Sequence, residues 1–279
     1  MKEVARFTIA CQRFLAPDGT IESAPPGSPI EPDLAKNLYR TMTLARAFDA
    51  KAIALQRTGQ LGTYASTLGQ EAIGAAIGTA METTDVFLPN YRDTATLLAR
   101  GVSLFELLLY WGGDERGSDF SNVREDFPVC IPVATQNGYA VGVATAIQMR
   151  GEARAALCTL GDGATSKGDF YEAINLAGVW NLPVVFVINN NQWAISVPRH
   201  LQSGTETLVQ KSVAAGIRGL QVDGNDALAL HDALHEALQR ARKGEGATVI
   251  EALTYRLCDH TTADDAGRCR NDDEVGQHW

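Results

Sequence analysis

The sequence predicts a doubly wound α/β fold, a mainly parallel sheet with helices on both faces. Three observations carry that prediction. Residues 153–160 are a short apolar run, residues 169–179 have helical spacing opened by Asp169 and Glu172, and residues 183–188 (PVVFVI) are β-branched and aromatic. Together they read strand, helix, strand. Such a unit lays its two strands parallel through a crossover, and near-continuous apolar strands are covered on both faces. A second unit follows, with a helix over 226–243 stopped by Gly244 and a strand over 247–257.

At 279 residues the chain suits one large α/β domain, although length alone also permits two. An extended N-terminal arm is predicted over 1–32, because Pro17, Gly19, Pro25, Pro26, Gly27, Pro29 and Pro32 break regular structure. Arms of this kind often pack on a partner subunit. The domain proper is expected over 33–279 and opens with a helix. Asp33 is placed as its N-cap, the apolar positions Leu34, Leu38, Met42, Ala45, Phe48, Ala52 and Leu55 step by three or four, and Gly59 stops it. Between 69 and 80 the run GQEAIGAAIGTA is dominated by small residues, which lets helices or subunits approach closely. Ser103 and Glu106 form a capping-box pattern ahead of a short apolar helix running through Trp111.

The composition, 45% hydrophobic and 20% charged, is that of an ordinary globular protein. A net charge of −9 argues against nucleic acid or an anionic membrane as partner, so any phosphate binding must be local. The five cysteines, Cys11, Cys130, Cys158, Cys258 and Cys269, include no C-x-x-C pair and are odd in number, which disfavours a disulfide framework or a zinc site. No apolar run approaches a membrane span, and the start Met1-Lys2-Glu3-Val4 has neither signal-peptide nor transit-peptide character. These features predict a cytoplasmic protein.

In open α/β sheets ligands bind beyond the carboxyl ends of the strands. The first strand here ends in Gly161-Asp162-Gly163-Ala164 and the second in Asn189-Asn190-Asn191, so one crossover brings a carboxylate and an amide oxygen to the same edge. Both are hard oxygen ligands. Magnesium prefers octahedral oxygen and completes its shell with phosphates and water, so this pair suits a diphosphate held through the ion. Gly163 is expected to let the backbone approach the phosphate, with N–H donors in the following turns. Rival phosphate loops do not fit. A Walker A loop needs Gly before its Lys, whereas Lys167 follows Ser166, and a G-x-G-x-x-G run needs Gly where Ser166 stands. A bare G-D-G turn is as readily structural as functional; the Asn run one crossover later tips it towards a metal site.

The stretch GDGATSKGDFYEAINLAGVWNLPVVFVINNNQWAIS resembles the thiamine-diphosphate signature, G-D-G followed one such unit later by N-N, of the α subunits of 2-oxo-acid dehydrogenase E1 components. The similarity extends to LQRTGQLGTYASTLGQEA (55–72), FLPNYRDT (87–94), LLYWGGDERGSDF (108–120), SVPR (196–199), QVDGNDALA (221–229) and EALTYRLCDHTTADDA (251–266). These look like segments of the family's bacterial pyruvate dehydrogenase members, and the resemblance covers nearly everything after about residue 33.

The resemblance implies a thiamine-diphosphate-binding fold and a set of residue roles. Asp162 and Asn191 would be side-chain ligands of Mg2+, with the main-chain carbonyl of Trp193 as a third. The turn from Gly161 would meet the cofactor, Gly163 and Ala164 touching the diphosphate. Tyr91 and Arg92 match family residues that meet the cofactor, Arg92 through a charge-assisted contact to phosphate. Ile131 and Val133 occupy the stretch that contacts the aminopyrimidine, although ordinary core packing explains them nearly as well. His260 matches the family histidine on the loop over the active site, where a pKa near neutrality would let it order that loop and help protonate or orient intermediates.

The implied reaction is decarboxylation of a 2-oxo acid, with reductive acylation of the lipoyl group of an E2 acyltransferase. The glutamate that activates the cofactor comes, in this family, from a separate E1 β subunit, with the site at the interface of an α2β2 heterotetramer. Pyruvate is the first substrate reading and a branched-chain 2-oxo acid the alternative. Relatives continue for several tens of residues past the position of Trp279. The family's C-terminal segment is therefore expected to be absent, which admits a fragment or a shortened, inactive paralogue acting as an interaction subunit. Asn137-Gly138-Tyr139, Asp259 and Asn189 depart from commoner family patterns and bear on substrate geometry rather than on the cofactor.

Overall fold

The computed structural model describes residues 1–23 and 31–278. Six strands form one sheet in the order β1 (Cys11–Gln12), β7 (Arg218–Asp223), β8 (Thr248–Leu253), β4 (Val184–Asn190), β3 (Ala156–Gly161) and β2 (Val86–Leu88). Every adjacent pair is parallel. A short antiparallel pair, β5 (Trp193–Ala194) with β6 (Val197–Pro198), follows the central strand β4.

Alternation along β4 assigns the two faces of the sheet. Val185 and Val187 pack into a core with α1 (Pro32–Arg57), α2 (Glu71–Ala80), α3 (Thr94–Ala99), α4 (Leu104–Trp111) and α8 (Ala227–Arg242). Val184, Phe186 and Ile188 face the opposite core, built with α5 (Thr135–Arg150) and α6 (Gly168–Val179) and flanked by α7 (Lys211–Ala214). A strand covered on both faces has no polar side to show, which is why its sequence is an unbroken apolar run. A last short helix, α9 (Asp272–Gly276), lies near Tyr255, whose hydroxyl donates to Glu274 at 2.8 Å. Among the described residues no helix is long and apolar enough to cross a membrane.

Local chemistry sets the boundaries of these elements. The capping box at α4 is formed: Ser103 Oγ accepts from Glu106 N at 3.2 Å and Glu106 Oε2 accepts from Ser103 N at 2.8 Å. The expected N-cap at Asp33 is corrected. Helix α1 starts two residues earlier, at Pro32 with Glu31 as N-cap, because a proline already fixed near helical φ suits the first position; Asp33 falls in the first turn, where its charge complements the helix end. The small-residue run is used inside the chain. A Cβ built on Gly74 would come 2.6 Å from Ala95 Cβ, and one on Gly78 would overlap Ala99, so α2 and α3 touch backbone to backbone. The expected strand over 247–257 ends at Leu253; beyond it Thr254 N and Arg256 N donate to Asn190 O and Asn191 O at 2.9 and 3.2 Å.

The N-terminal segment differs from a plain arm. Pro25, Pro26, Gly27 and Pro29 lie outside the described residues, but β1 adds to the sheet edge beside β7, and Phe14 is buried in the core. Asp226 ties this segment down. One of its oxygens accepts from Phe14 N and Leu15 N at 2.6 and 2.7 Å, and the other caps α8 through Leu228 N and Ala229 N at 3.1 and 3.0 Å. Asp226→Ala therefore removes a cap and strands two amides, and about 3 kcal/mol of unfolding free energy is expected to be lost. Urea titration of the two proteins measures this; a loss under about 1 kcal/mol would mean that the cap alone matters.

Candidate functional site

Strands β3 and β4 pair with Gly161 opposite Asn189, so their carboxyl ends leave the sheet side by side. Asp162 is the first residue beyond β3 and opens a 3-10 turn over Asp162–Ser166, while Asn191 is the first beyond β4. Both are buried. The Asp162 carboxylate accepts one hydrogen bond, from Gln202 Nε2 at 3.1 Å, and burial raises its pKa, opposed by that bond, by backbone N–H groups and by the charge of Arg256. A buried carboxylate with so little compensation is a site that a cation completes.

Two further oxygens stand with it. Asn191 Oδ1 accepts from Trp193 N at 3.2 Å, closing a turn in which Gln192 takes a positive φ of 72°. The Trp193 carbonyl accepts from Arg256 Nη1 at 3.1 Å and keeps a second lone pair. Carboxylate, amide oxygen and carbonyl form an all-oxygen donor set, the kind a hard divalent cation takes. The turn beneath is pinned by Lys211, whose Nζ donates to Thr165 O and Oγ1, each at 2.8 Å; burial and Arg199 lower that amine to about 8.

Above this lies a cavity of about 530 Å³ that all eleven positions singled out from the sequence line: Tyr91, Arg92, Ile131, Val133, Gly161, Asp162, Gly163, Ala164, Asn191, Trp193 and His260. Two of the expectations change in detail. A Cβ on Gly163 would sit 2.6 Å from Ala194 Cβ, so that glycine makes room for β5. It is Gly161 that faces open space, where a side chain would enter the cavity. Ile131 and Val133 are not core residues; at 53% and 46% exposure they form the apolar mouth of the cavity together with Ile195.

The far wall is cationic. Arg92, on the turn after β2, donates to Ser66 O at 2.6 Å and to His260 O at 2.7 Å, and its Nη2 lies 3.2 Å from His260 Nδ1. Arg256 reaches the same Nδ1 at 3.4 Å and donates to Ile195 O at 2.8 Å. Guanidinium groups only donate, so Nδ1 is the acceptor and the imidazole proton sits on Nε2. Burial, then Arg92 and Arg256, lower His260 to about 4. This corrects the near-neutral value expected from its position in the loop. Burial and the neighbouring Arg92 and Arg270 likewise lower Arg256 to about 10. Among the described residues neither Arg92 nor Arg256 has a carboxylate partner; Arg92 lines the cavity, where an anion would complete it, and Arg256 lies behind, donating to the carbonyls of Trp193, Ile195 and Cys258.

The sequence reading missed Arg256, which stands behind the cavity wall, and two amides of the lining, Gln70 and Gln136. Arg256 stands just past the carboxyl end of β8, the strand beside β4, and a basic residue at that edge was a usable signal. Gln70, Gln136 and Asn189 also line the cavity, each at least nine-tenths buried, and Gln70 Nε2, Gln136 Oε1 and Asn189 Oδ1 have no protein partner. No local pattern marks Gln70 or Gln136; Asn189 belongs to the Asn run at the end of the strand.

The guanidinium pair makes a spectroscopic prediction. In the ligand-free chain the His260 imidazole is expected to titrate near pH 4 rather than at the usual 6.5, and Arg92→Gln should move it upward. Nitrogen-15 spectra of histidine-labelled protein across pH 3.5–7.5 follow this, and a wild-type midpoint above about 6 would contradict the arrangement.

Known proteins share this sequence. The family model described as "Dehydrogenase E1 component" matches residues 39–279. The pyruvate dehydrogenase E1 component subunit alpha of Acholeplasma laidlawii is 45% identical over 254 residues, covering 90% of this chain and 74% of that protein. The protein of the same name from Bacillus subtilis is 42% identical over 247 residues, 88% of this chain and 67% of its own length. The 3-methyl-2-oxobutanoate dehydrogenase subunit alpha of Mycobacterium tuberculosis is 41% identical over 238 residues, 85% of this chain and 65% of its own length. The chain thus spans about two thirds to three quarters of the relatives it matches.

Proposed function

The chain belongs to the dehydrogenase E1 component family, and from that premise we propose that it is the α subunit of a pyruvate dehydrogenase E1. Paired with an E1 β subunit as an α2β2 heterotetramer, it takes part in decarboxylating pyruvate and acetylating the lipoyl group of an E2 acyltransferase. One observation carries the reading: a single cavity is lined by a buried carboxylate short of a cation and by a buried arginine, Arg92, short of an anion, with the charge of Arg256 behind the wall. That is the complement of a magnesium diphosphate.

In this reading Asp162, Asn191 and the Trp193 carbonyl hold Mg2+, and Gly161, Gly163 and Ala164 form the turn under the diphosphate. Arg92 neutralises the phosphates directly, and the charge of Arg256 adds to the field from behind the wall. Thiamine diphosphate, once bound, supplies the electron sink that decarboxylation of a 2-oxo acid requires. Ile131 and Val133 give its aminopyrimidine end an apolar flank, and Tyr91, edge-on to His260 at 5.8 Å between centroids, closes the side. His260, neutral and protonated at Nε2, donates a hydrogen bond to an anionic oxygen without itself carrying charge.

The partner follows from what the cavity lacks. Among the described residues Asp162 is the only acidic side chain lining it, and in this reading the metal claims that group. The carboxylate that activates the aminopyrimidine must then come from another chain, and half-exposed Ile131, Val133 and Ile195 offer that chain an apolar rim. The intact set of Asp162, Asn191, Arg92 and His260 around one cavity favours an active subunit over an inactive interaction paralogue.

The branched-chain reading has support of its own in the similarity to the Mycobacterium tuberculosis protein. Reconstitution with the β subunit and comparison of kcat/KM for pyruvate and 3-methyl-2-oxobutanoate separates the two. At least a tenfold preference for pyruvate is expected; the reverse preference would reassign the substrate, and failure of the pair to bind cofactor would overturn the enzymatic reading.

A further inference from the structure

Buried acids are costly unless something requires them, and Asp49 is one that the proposed chemistry does not use. It sits on α1 next to Phe48 and one turn from Ala45 and Ala52, on a buried face whose only other polar residue is Thr41, and only 4% of it is exposed. Packing alone would be served by alanine or leucine. Its carboxylate instead gathers four donors from the segment between α1 and α2: the Tyr64 hydroxyl, Ser66 Oγ at 2.7 Å, Thr67 N at 2.7 Å and Thr67 Oγ1 at 3.0 Å.

That segment in turn holds the cationic wall. Ser66 O accepts from Arg92 Nη1 at 2.6 Å. Tyr64 and Thr262 exchange two bonds, Tyr64 N to Thr262 Oγ1 and Thr262 N to Tyr64 O, both at 2.9 Å. Thr63 and Ala65 line the cavity itself. The carboxylate therefore sits one bond behind Arg92 and one strand of chain behind the loop that carries His260.

We propose that Asp49 is a positioning residue: by clamping residues 64–67 it sets the Arg92 guanidinium and the 260–262 loop where a diphosphate is received. The inference rests on the reading of the cavity as a diphosphate site. Asp49 touches neither cavity nor ligand, and its effect runs through Ser66 O and Thr262. The two carboxylate oxygens share the four donors, Oδ1 taking the Tyr64 hydroxyl and Oδ2 the other three, whereas an amide has one accepting oxygen and must either lose the Tyr64 donor or turn its nitrogen toward Thr67 N, which can only donate.

Asp49→Asn tests this with two readouts. The first is the His260 titration in the ligand-free chain, which responds to burial and, next, to how closely Arg92 and Arg256 are held, and is independent of any cofactor. It should move from about 4 toward the ordinary histidine value. The second is the calorimetric Kd of thiamine diphosphate with Mg2+ for the reconstituted α/β pair, which should rise about tenfold or more. Ser66→Ala, which removes a single donor, should shift both in the same direction by less and serves if Asp49→Asn does not fold. A stable variant with the His260 titration and the Kd both unchanged would overturn the proposal and make Asp49 a fold residue only. A shifted titration in a pair whose wild type binds no thiamine diphosphate would uphold the positioning while refuting the diphosphate reading.

Discussion

Asp162→Asn should abolish magnesium-dependent binding of thiamine diphosphate while leaving the ligand-free chain as stable as before, or more stable. The two halves of that result have one cause. In the empty chain Asp162 is a buried carboxylate whose partners are Gln202 and a distant arginine charge, and burial raises its pKa above the ordinary 3.8. A neutral amide of the same shape removes that desolvation cost. With cofactor present the same carboxylate is the only charged ligand in the proposed oxygen set. Losing a group merely behind a metal ligand costs ~10–100-fold in affinity, so losing the charged ligand should exceed about 100-fold.

The pH dependence has a fixed sign. Because the folded pKa of Asp162 lies above its unfolded value, the folded chain holds the extra proton. The group's contribution to stability of the empty chain is therefore greatest in acid, and falls as pH rises from 3.8 through the raised folded value. Cofactor binding runs the other way, since proton and metal compete for one carboxylate. Thermal unfolding of wild type and variant between pH 4 and 7, with calorimetry of cofactor binding, checks both halves. Wild-type affinity for Mg2+ and thiamine diphosphate retained in Asp162→Asn would remove the metal assignment.

The isolated chain should show no 2-oxo-acid decarboxylation, and adding the β subunit should bring turnover above background by several orders of magnitude. The argument is one of missing chemistry. Proton transfer by a positioned acid or base contributes roughly 10²–10⁴-fold, and activation of the cofactor depends on one. Among the described cavity-lining residues the one carboxylate is Asp162, the proposed metal ligand, and the one imidazole is His260, whose Nδ1 faces two guanidinium groups. Neither can serve as the activating carboxylate. A stopped assay with the α chain alone, then with stoichiometric β chain, is decisive; substantial decarboxylation by the α chain alone would sink the shared-site reading.

Helix α1, the α4 capping box and the β3–α6–β4 unit were legible in the sequence because each is written in local patterns: a stripe every three or four residues, a Ser and a Glu three apart, two apolar runs around a crossover. Helix α5 was not. It buries Gln136 and Asn137 alongside Ala140, Val141, Ala144 and Ile147, and exposes Gly138 and Gly142, so no apolar stripe stands out. Strand β1 escaped because two residues paired to β7 across the whole length of the chain have no local signature. The candidate site divides the same way. Asp162 and Asn191 could be placed because both follow strand ends joined by one helix. The convergence of Arg92 and Arg256 on His260 could not be, because the meeting of residues 92 and 256 is a product of the fold.

That convergence also ties the site to how the protein is made. The pocket needs the turn after β2, both central strands and the loop beyond β8 at once, so it cannot exist until the strand inserted between β7 and β4 has arrived from late in the chain. Contacts so far apart in sequence form slowly. Thiamine diphosphate can therefore bind only the finished sheet, and at a hundred times its Kd it would add about 2.7 kcal/mol to the folded state alone. If thiamine diphosphate binds as proposed, the ligand that serves the reaction also guards the chain against unfolding, and protease digestion should slow when it is added.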